Sequence, residues 1–254
     1  MNATGRHEQH EQHEQHRCCH DAGSDDSGAL TLAPALVRVP WRRFVVLGDT
    51  GAKCPRPKGD SGCRPWADHV AELLRTVRPE LAYLNLGRRD HSAARVRARQ
   101  LAKALAFRGD LAAVVAGGRE ALRDPFDVDA TEAELSRIVG PLRASGADVL
   151  ALGPFGPHLL APPGEQHGSG PQHGSGPQQR LRLLSERTRE LALRHGALYV
   201  DVPTPTVAAA AVIRRLADHL DARESAAWPT ARPAVSPSVC PTVRPTACPP
   251  VSAP

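Results

Sequence analysis

Three short segments of this chain carry polar residues of the types that acyl chemistry uses, each just after an apolar run. Asp49 and Thr50 follow Phe44-Val45-Val46-Leu47-Gly48. Asp90 and His91 follow Tyr83-Leu84-Asn85-Leu86-Gly87 and two arginines. Gly118, Arg119 and Glu120 follow Val114-Val115-Ala116-Gly117. Acyl transfer needs a nucleophilic hydroxyl, a base to take its proton, and donors aimed at the developing oxyanion. Thr50 offers the hydroxyl, although its methyl stiffens the side chain and crowds the attacking oxygen. His91 is the candidate base, oriented by Asp90 or Glu120, against the plainer expectation of a solvated loop histidine. Arg119 and the backbone N–H groups near Gly118 and Asp90 are the candidate oxyanion donors. His69, on a helix, and His158, in a loop, read as structural or incidental.

These residues need a scaffold that brings separated loops together. Phe44–Leu47, Leu81–Leu86, Leu111–Ala116, Asp148–Leu152 and Leu198–Val202 are continuous apolar runs, as expected of strands covered on both faces. Helical patterns lie between them. Trp66, Val70, Leu73, Leu74 and Val77 share a face, with Pro65 suited to the first turn. Ser92 is placed to cap a helix through Phe107 whose face holds Ala94, Ala98, Leu101 and Leu105. Thr131 and Glu134 have capping-box spacing, with Gly146 at the expected stop. Leu181–Arg194 and a stretch from Thr204-Pro205 to about Ala222 complete the set. The alternation predicts an α/β fold: a doubly wound, flavodoxin-like three-layer sandwich with a five-stranded parallel sheet. In such sheets ligands sit beyond the carboxyl ends of the strands, where all three polar segments fall.

In that order and spacing, the segments resemble those of the SGNH hydrolases, also called the GDSL esterase/lipase family. The resemblance covers about residues 42–202 and includes Asp124-Pro125-Phe126-Asp127-Val128 and His195-Gly196-Ala197-Leu198-Tyr199-Val200-Asp201. It implies a nucleophile at Thr50, where the family has serine, and an oxyanion-hole N–H at Asp90, where it has glycine. It also implies a carboxamide donor at the position held by Arg119, and an aspartate at that of Glu120. The family's late D-x-x-H is absent. Asp201 leads into Pro203-Thr204-Pro205, and the next histidine, His219, falls inside a helical pattern beside Asp218. Losing one oxyanion donor costs roughly 10²–10³ in rate, and losing a nucleophile or base roughly 10⁶. The expectation is a family member with a degenerate site, little or no esterase activity, and binding of a small ester or anionic ligand. The alternatives are an active carboxylic-ester hydrolase with a Thr-based site, and an Arg-rich nucleic-acid-associated protein.

The third class rests on Arg88, Arg89, Arg95, Arg97 and Arg99. They do not form one helical face, and no aromatic platform accompanies them, which argues against nucleic acid. The net charge of +5 is nearly all arginine, since Lys53, Lys58 and Lys103 are the only lysines. No apolar run reaches the ~20 residues of a membrane span, and no export signal is visible, so the expected location is cytoplasmic. Cys18 and Cys19, Cys54 and Cys63, and Cys240 and Cys248 include no C-x-x-C pair, so no structural metal and no cofactor is called for. Residues 1–35, with the repeat His7-Glu8-Gln9-His10-Glu11-Gln12-His13-Glu14-Gln15-His16, read as a disordered His-rich tail. Residues 42–223 read as the domain, interrupted at 161–179 by a flexible repeat loop. Residues 224–254 read as a disordered Pro-rich tail.

Overall fold

The computed structural model describes residues 36, 38–52, 64–156, 176–202 and 204–227. The His-rich tract, every cysteine, His158, Pro203, most of the repeat loop and most of the C-terminal tail lie outside the described residues. Five strands form one parallel sheet: β1 (Arg43–Gly48), β2 (Ala82–Asn85), β3 (Leu111–Val115), β4 (Asp148–Leu152) and β5 (Leu198–Val200). Their order is β2-β1-β3-β4-β5. The chain therefore reverses its direction of travel across the sheet between β1 and β3, and the loops leaving those strands diverge. That crevice is where a doubly wound fold takes its ligands.

Alternation along the strands builds two cores. Phe44 and Val46, Leu111, Ala113 and Val115, and Leu150 and Leu152 point to one face. There they meet Trp66, Val70 and Leu74 of α1 (Trp66–Val77), and Ala208, Val212 and Leu216 of the last helix, α7 (Pro205–Ala227). Val45 and Leu47, Ala112 and Val114, and Val149 and Ala151 point to the other. That face is covered by α2 (Ala93–Val96), which continues through a π-turn (Arg97–Leu101) into α3 (Ala102–Phe107), by α5 (Val128–Ala144) and by α6 (Pro177–Arg194). A short turn of helix, α4 (Gly118–Ala121), follows β3. The period of two, apolar on both phases, is what a sheet sandwiched between helix layers requires. No helix among the described residues is long and apolar enough to cross a membrane.

Five expectations are corrected. Pro65 is the residue before α1, not its first turn. The helix after β3 starts at Val128, because Asp127 rather than Thr131 caps it, accepting from the Ala130 N–H at 2.8 Å. Thr131 is buried one turn further in, its hydroxyl bonded to the Asp127 carbonyl at 2.8 Å. The helix opened by Ser92 buries Ala93, Val96, Gln100 and Ala104, and leaves Ala94 and Ala98 exposed. The buried face lies to one side of the expected one because it includes the polar Gln100, while Leu101 and Leu105 pack half-buried at its margin. Finally, Pro177, Gln178 and Gln179 open α6 instead of ending a loop, and α7 runs to Ala227, past the boundary at 223.

Leu150 is fully buried at the centre of the sheet. Leu150→Ala should lower stability by about 2–5 kcal/mol in urea denaturation. Leu193→Ala, at a side chain 75% exposed, should change it by less than about 0.5 kcal/mol.

Candidate active site

The site is assembled around the last residue of β1. A Cβ on Gly48 would lie 2.2 Å from the Val115 carbonyl oxygen, so only glycine lets β1 and β3 run this close. Both polar groups of Gly48 are held by one side chain from the π-turn. Its N–H donates to Gln100 Oε1 at 2.8 Å, and its carbonyl accepts from Gln100 Nε2 at 2.9 Å. The same carbonyl takes the Arg88 N–H at 3.0 Å, which ties in the loop after β2. The Asp49 N–H then donates to the Val115 carbonyl at 3.1 Å, tying the first loop to β3.

Asp49 is almost wholly buried, and its Oδ1 accepts the Gly51 N–H at 2.9 Å. This closes a tight turn, Thr50–Ala52, that presents Thr50 at the sheet's carboxyl edge. Around the turn, Trp66 Nε1 donates to the Gly51 carbonyl at 2.9 Å and Asn85 Nδ2 to the Ala52 carbonyl at 3.0 Å. Asn85 Oδ1 accepts the Gly87 N–H at 3.0 Å, so a single amide joins the first and second loops. Tyr83 supports Asn85 from below and donates its phenol proton to Asp68 at 2.6 Å. Burial and that acidic partner push the Tyr83 phenol upward.

The second and third loops meet through charge. Asp90 and Arg119 form an ion pair. Asp90 sits at φ +65°, the left-handed backbone that suits glycine and that aspartate adopts more readily than most residues. Glu120 Oε1 accepts the Ala93 N–H, anchoring the third loop to the start of α2. Its Oε2 and the Asp49 Oδ2 are buried without hydrogen-bond partners. Burial, reinforced by the charge of Glu120, raises the Asp49 carboxyl to about 7, against the pull of N–H groups from Gly51 and Gly117. A proton on Asp49 relieves both the desolvation and the repulsion.

The structure thus brings Asp49, Asp90, Gly118, Arg119 and Glu120 to one edge, with Thr50 on the turn beside them. His91 is also there, but it faces Gln100. Because Gly48 fixes which end of the Gln100 amide is oxygen, the remaining Nε2–H points to His91 Nδ1 at 3.2 Å. The neutral imidazole therefore accepts at Nδ1 and carries its proton on Nε2. Burial, then the charges of Arg95, Arg88 and Arg99, hold His91 below the ordinary imidazole range. Among the described residues no side chain hydrogen-bonds the Thr50 hydroxyl. His219 lies elsewhere, with its Nε2 3.5 Å from Oδ1 of Asp148 at the amino end of β4. That is the opposite edge of the sheet. Asp201 is exposed just beyond β5, and His69 is exposed on α1. Gln100, central to the site, went unread in the sequence; the one signal was a polar residue spaced with Ala93, Val96 and Ala104.

A family model for GDSL-like lipases and acylhydrolases matches residues 47–231. The chain belongs to this family. No curated protein matches it by sequence. Among solved structures it is similar to Axe2, an acetylxylan esterase from Geobacillus stearothermophilus, at 18% identity and a TM-score of 0.50, covering 70% of this chain and 92% of that one. A mutant of Axe2, described as an acetyl-xylooligosaccharide esterase, gives 16% identity and a TM-score of 0.52 over 69% and 94%. At these identities the likeness concerns the fold.

Two measurements follow. Gln100→Ala strips the partner from a buried N–H and should cost about 1–3 kcal/mol or more in denaturant unfolding. Between about pH 4 and pH 7 the folded protein keeps a proton on Asp49 that the unfolded chain has released. This group's stabilisation is complete below its unfolded pKa and is lost as pH rises to about 7, at about 1.4 kcal/mol per unit. Asp49→Asn has no such proton, so its stability relative to the parent should climb across that window and then level off.

Proposed function

We propose that this chain keeps the family's fold and carboxyl-edge site but has a degenerate catalytic apparatus, binding a small ester or anion with little or no hydrolysis. The observation that carries this reading is the engagement of His91. The His91 imidazole offers its Nδ1 lone pair to Gln100 and holds its proton on the other nitrogen, so it is not poised to deprotonate Thr50. His219 offers no substitute from the far edge of the sheet. Arg119, where the family places a carboxamide, is committed to Asp90. A carboxylate beside an oxyanion donor opposes the charge that must develop there.

One observation favours a second reading, hydrolysis of a carboxylic ester from Thr50. Asp90 retains a glycine-like backbone, which leaves its N–H available in principle as an oxyanion donor. The solved relative Axe2 is an acetylxylan esterase, so acetyl esters are the substrates to offer. Nucleic-acid binding has less support, because Arg97 is spent on Glu134 and Arg119 on Asp90.

The test is turnover of p-nitrophenyl acetate and butyrate by the full chain, with Thr50→Ala and Thr50→Ser beside it. The expected result is a rate at background for the parent and Thr50→Ala alike. Turnover abolished by Thr50→Ala would establish the second reading instead. A large gain in Thr50→Ser would also count against a missing base, since serine gains only by relief of crowding if deprotonation is already provided.

A further inference from the structure

The carboxyl edge has a charge pattern that ester chemistry does not use. A cleft of about 290 Å³ opens there, walled by Asp90, Ser92, Arg95, Arg119, Glu120 and Arg123. Three of those six are arginines: Arg95 from α2, Arg119 from α4, and Arg123 from the turn after it. Arg119 is neutralised by Asp90, and Glu120 Oε1 is occupied by the Ala93 N–H. Among the described residues the guanidiniums of Arg95 and Arg123 have neither a hydrogen bond nor an ion pair. Several other arginines are committed to carboxylates: Arg97 and Arg137 hold Glu134, and Arg187 and Arg194 hold Glu132. Two uncommitted cations facing one concavity are a poor arrangement by themselves, because like charges repel. They become favourable when a shared counter-charge sits between them.

We propose that this cleft binds a phosphate group of a small molecule, held between Arg95 and Arg123. The guanidinium fork matches oxyanions bidentately, and a dianion neutralises both cations where a carboxylate neutralises one. Ser92 adds a donor. Its oxygen already accepts the Arg95 N–H at 3.2 Å, which leaves its O–H free to reach the ligand. The field on this side is positive, as the lowered His91 shows: after burial, the charges of Arg95, Arg88 and Arg99 are the causes. Asp90 limits the field, because its carboxylate holds the third guanidinium. The proposal rests on the reading that the carboxyl edge is this chain's ligand site, but not on whether Thr50 hydrolyses anything.

The test is calorimetric titration of the full chain, at fixed salt, with inorganic phosphate, glycerol 3-phosphate, acetate and glycerol. Phosphate and glycerol 3-phosphate should bind, acetate at least about tenfold more weakly, and glycerol not at all. Arg95→Ala and Arg123→Ala should each weaken phosphate at least about tenfold. Both residues are exposed, so the variants should fold, which thermal melting checks. Arg187→Ala, outside the cleft, should leave binding unchanged. Asp90→Asn frees Arg119 and should tighten it, an effect that a merely structural role for the arginines would not give. No phosphate binding at millimolar concentration, or binding undiminished in Arg95→Ala/Arg123→Ala, overturns the proposal. Ester turnover together with Arg95-dependent phosphate binding would sink only the degenerate-site reading. Absence of both would sink only this one.

Discussion

Gly48 and Gln100 hold the carboxyl edge together. The strand β1 must end against β3 so closely that no Cβ fits, and its last peptide must still satisfy its N–H and carbonyl away from water. One buried amide does both, and it reaches the strand because the helix that carries it widens into a π-turn. Everything that could matter chemically is positioned from there. Asp49 and Thr50 follow Gly48 directly, Arg88 is bonded to its carbonyl, and His91 takes the remaining Gln100 proton. A buried polar group of this kind is tolerable only when every member is satisfied. The constraint therefore explains both the rigidity of the edge and the protonation state of His91. The imidazole shares the carboxyl edge with Thr50, yet its observed partner is the scaffold amide of Gln100.

Electrostatics then separates this chain from what its fold would support. Two carboxyls, Asp49 and Glu120, are brought close under the loops, each with one oxygen lacking a hydrogen-bond partner. Burial, reinforced by the charge of Glu120, raises the Asp49 carboxyl to about 7. Above them, Asp90 and Arg119 neutralise one another in an ion pair between the second and third loops. The result is a site whose fixed charges are larger, and less suited to a developing oxyanion, than a hydrogen-bonding hole of neutral donors. The proposed binding of an anion draws on the uncommitted arginines at this same edge.

Much of this could be seen in the sequence. The strands announced themselves as apolar runs, the helices as faces between them, and the loop segments as polar residues after each run. The sheet order, the two-sided core and the family are what those patterns imply. The misreadings have physical causes. A capping-box spacing at Thr131 and Glu134 competed with Asp127, whose carboxylate takes the Ala130 N–H and caps the helix one turn earlier. Gly-Pro-Gln repeats read as a loop until Pro177, where proline's fixed φ starts a helix as readily as it breaks one. Gln100 falls at helical spacing with Ala93, Val96 and Ala104, but a polar residue on that face reads as solvated until the Gly48 peptide it satisfies is known. The pairing of Asp90 with Arg119 joins residues of separate loops, a contact that only the closed sheet creates.

The central claim is that Thr50 lacks an activating base. Intact-mass analysis of the full chain after incubation with a fluorophosphonate probe reads this at the residue itself, independently of substrate choice. The expected outcome is no adduct above that formed on the Thr50→Ala variant. A stoichiometric adduct that maps to Thr50 would contradict the claim, since such labelling requires a hydroxyl whose proton is being taken.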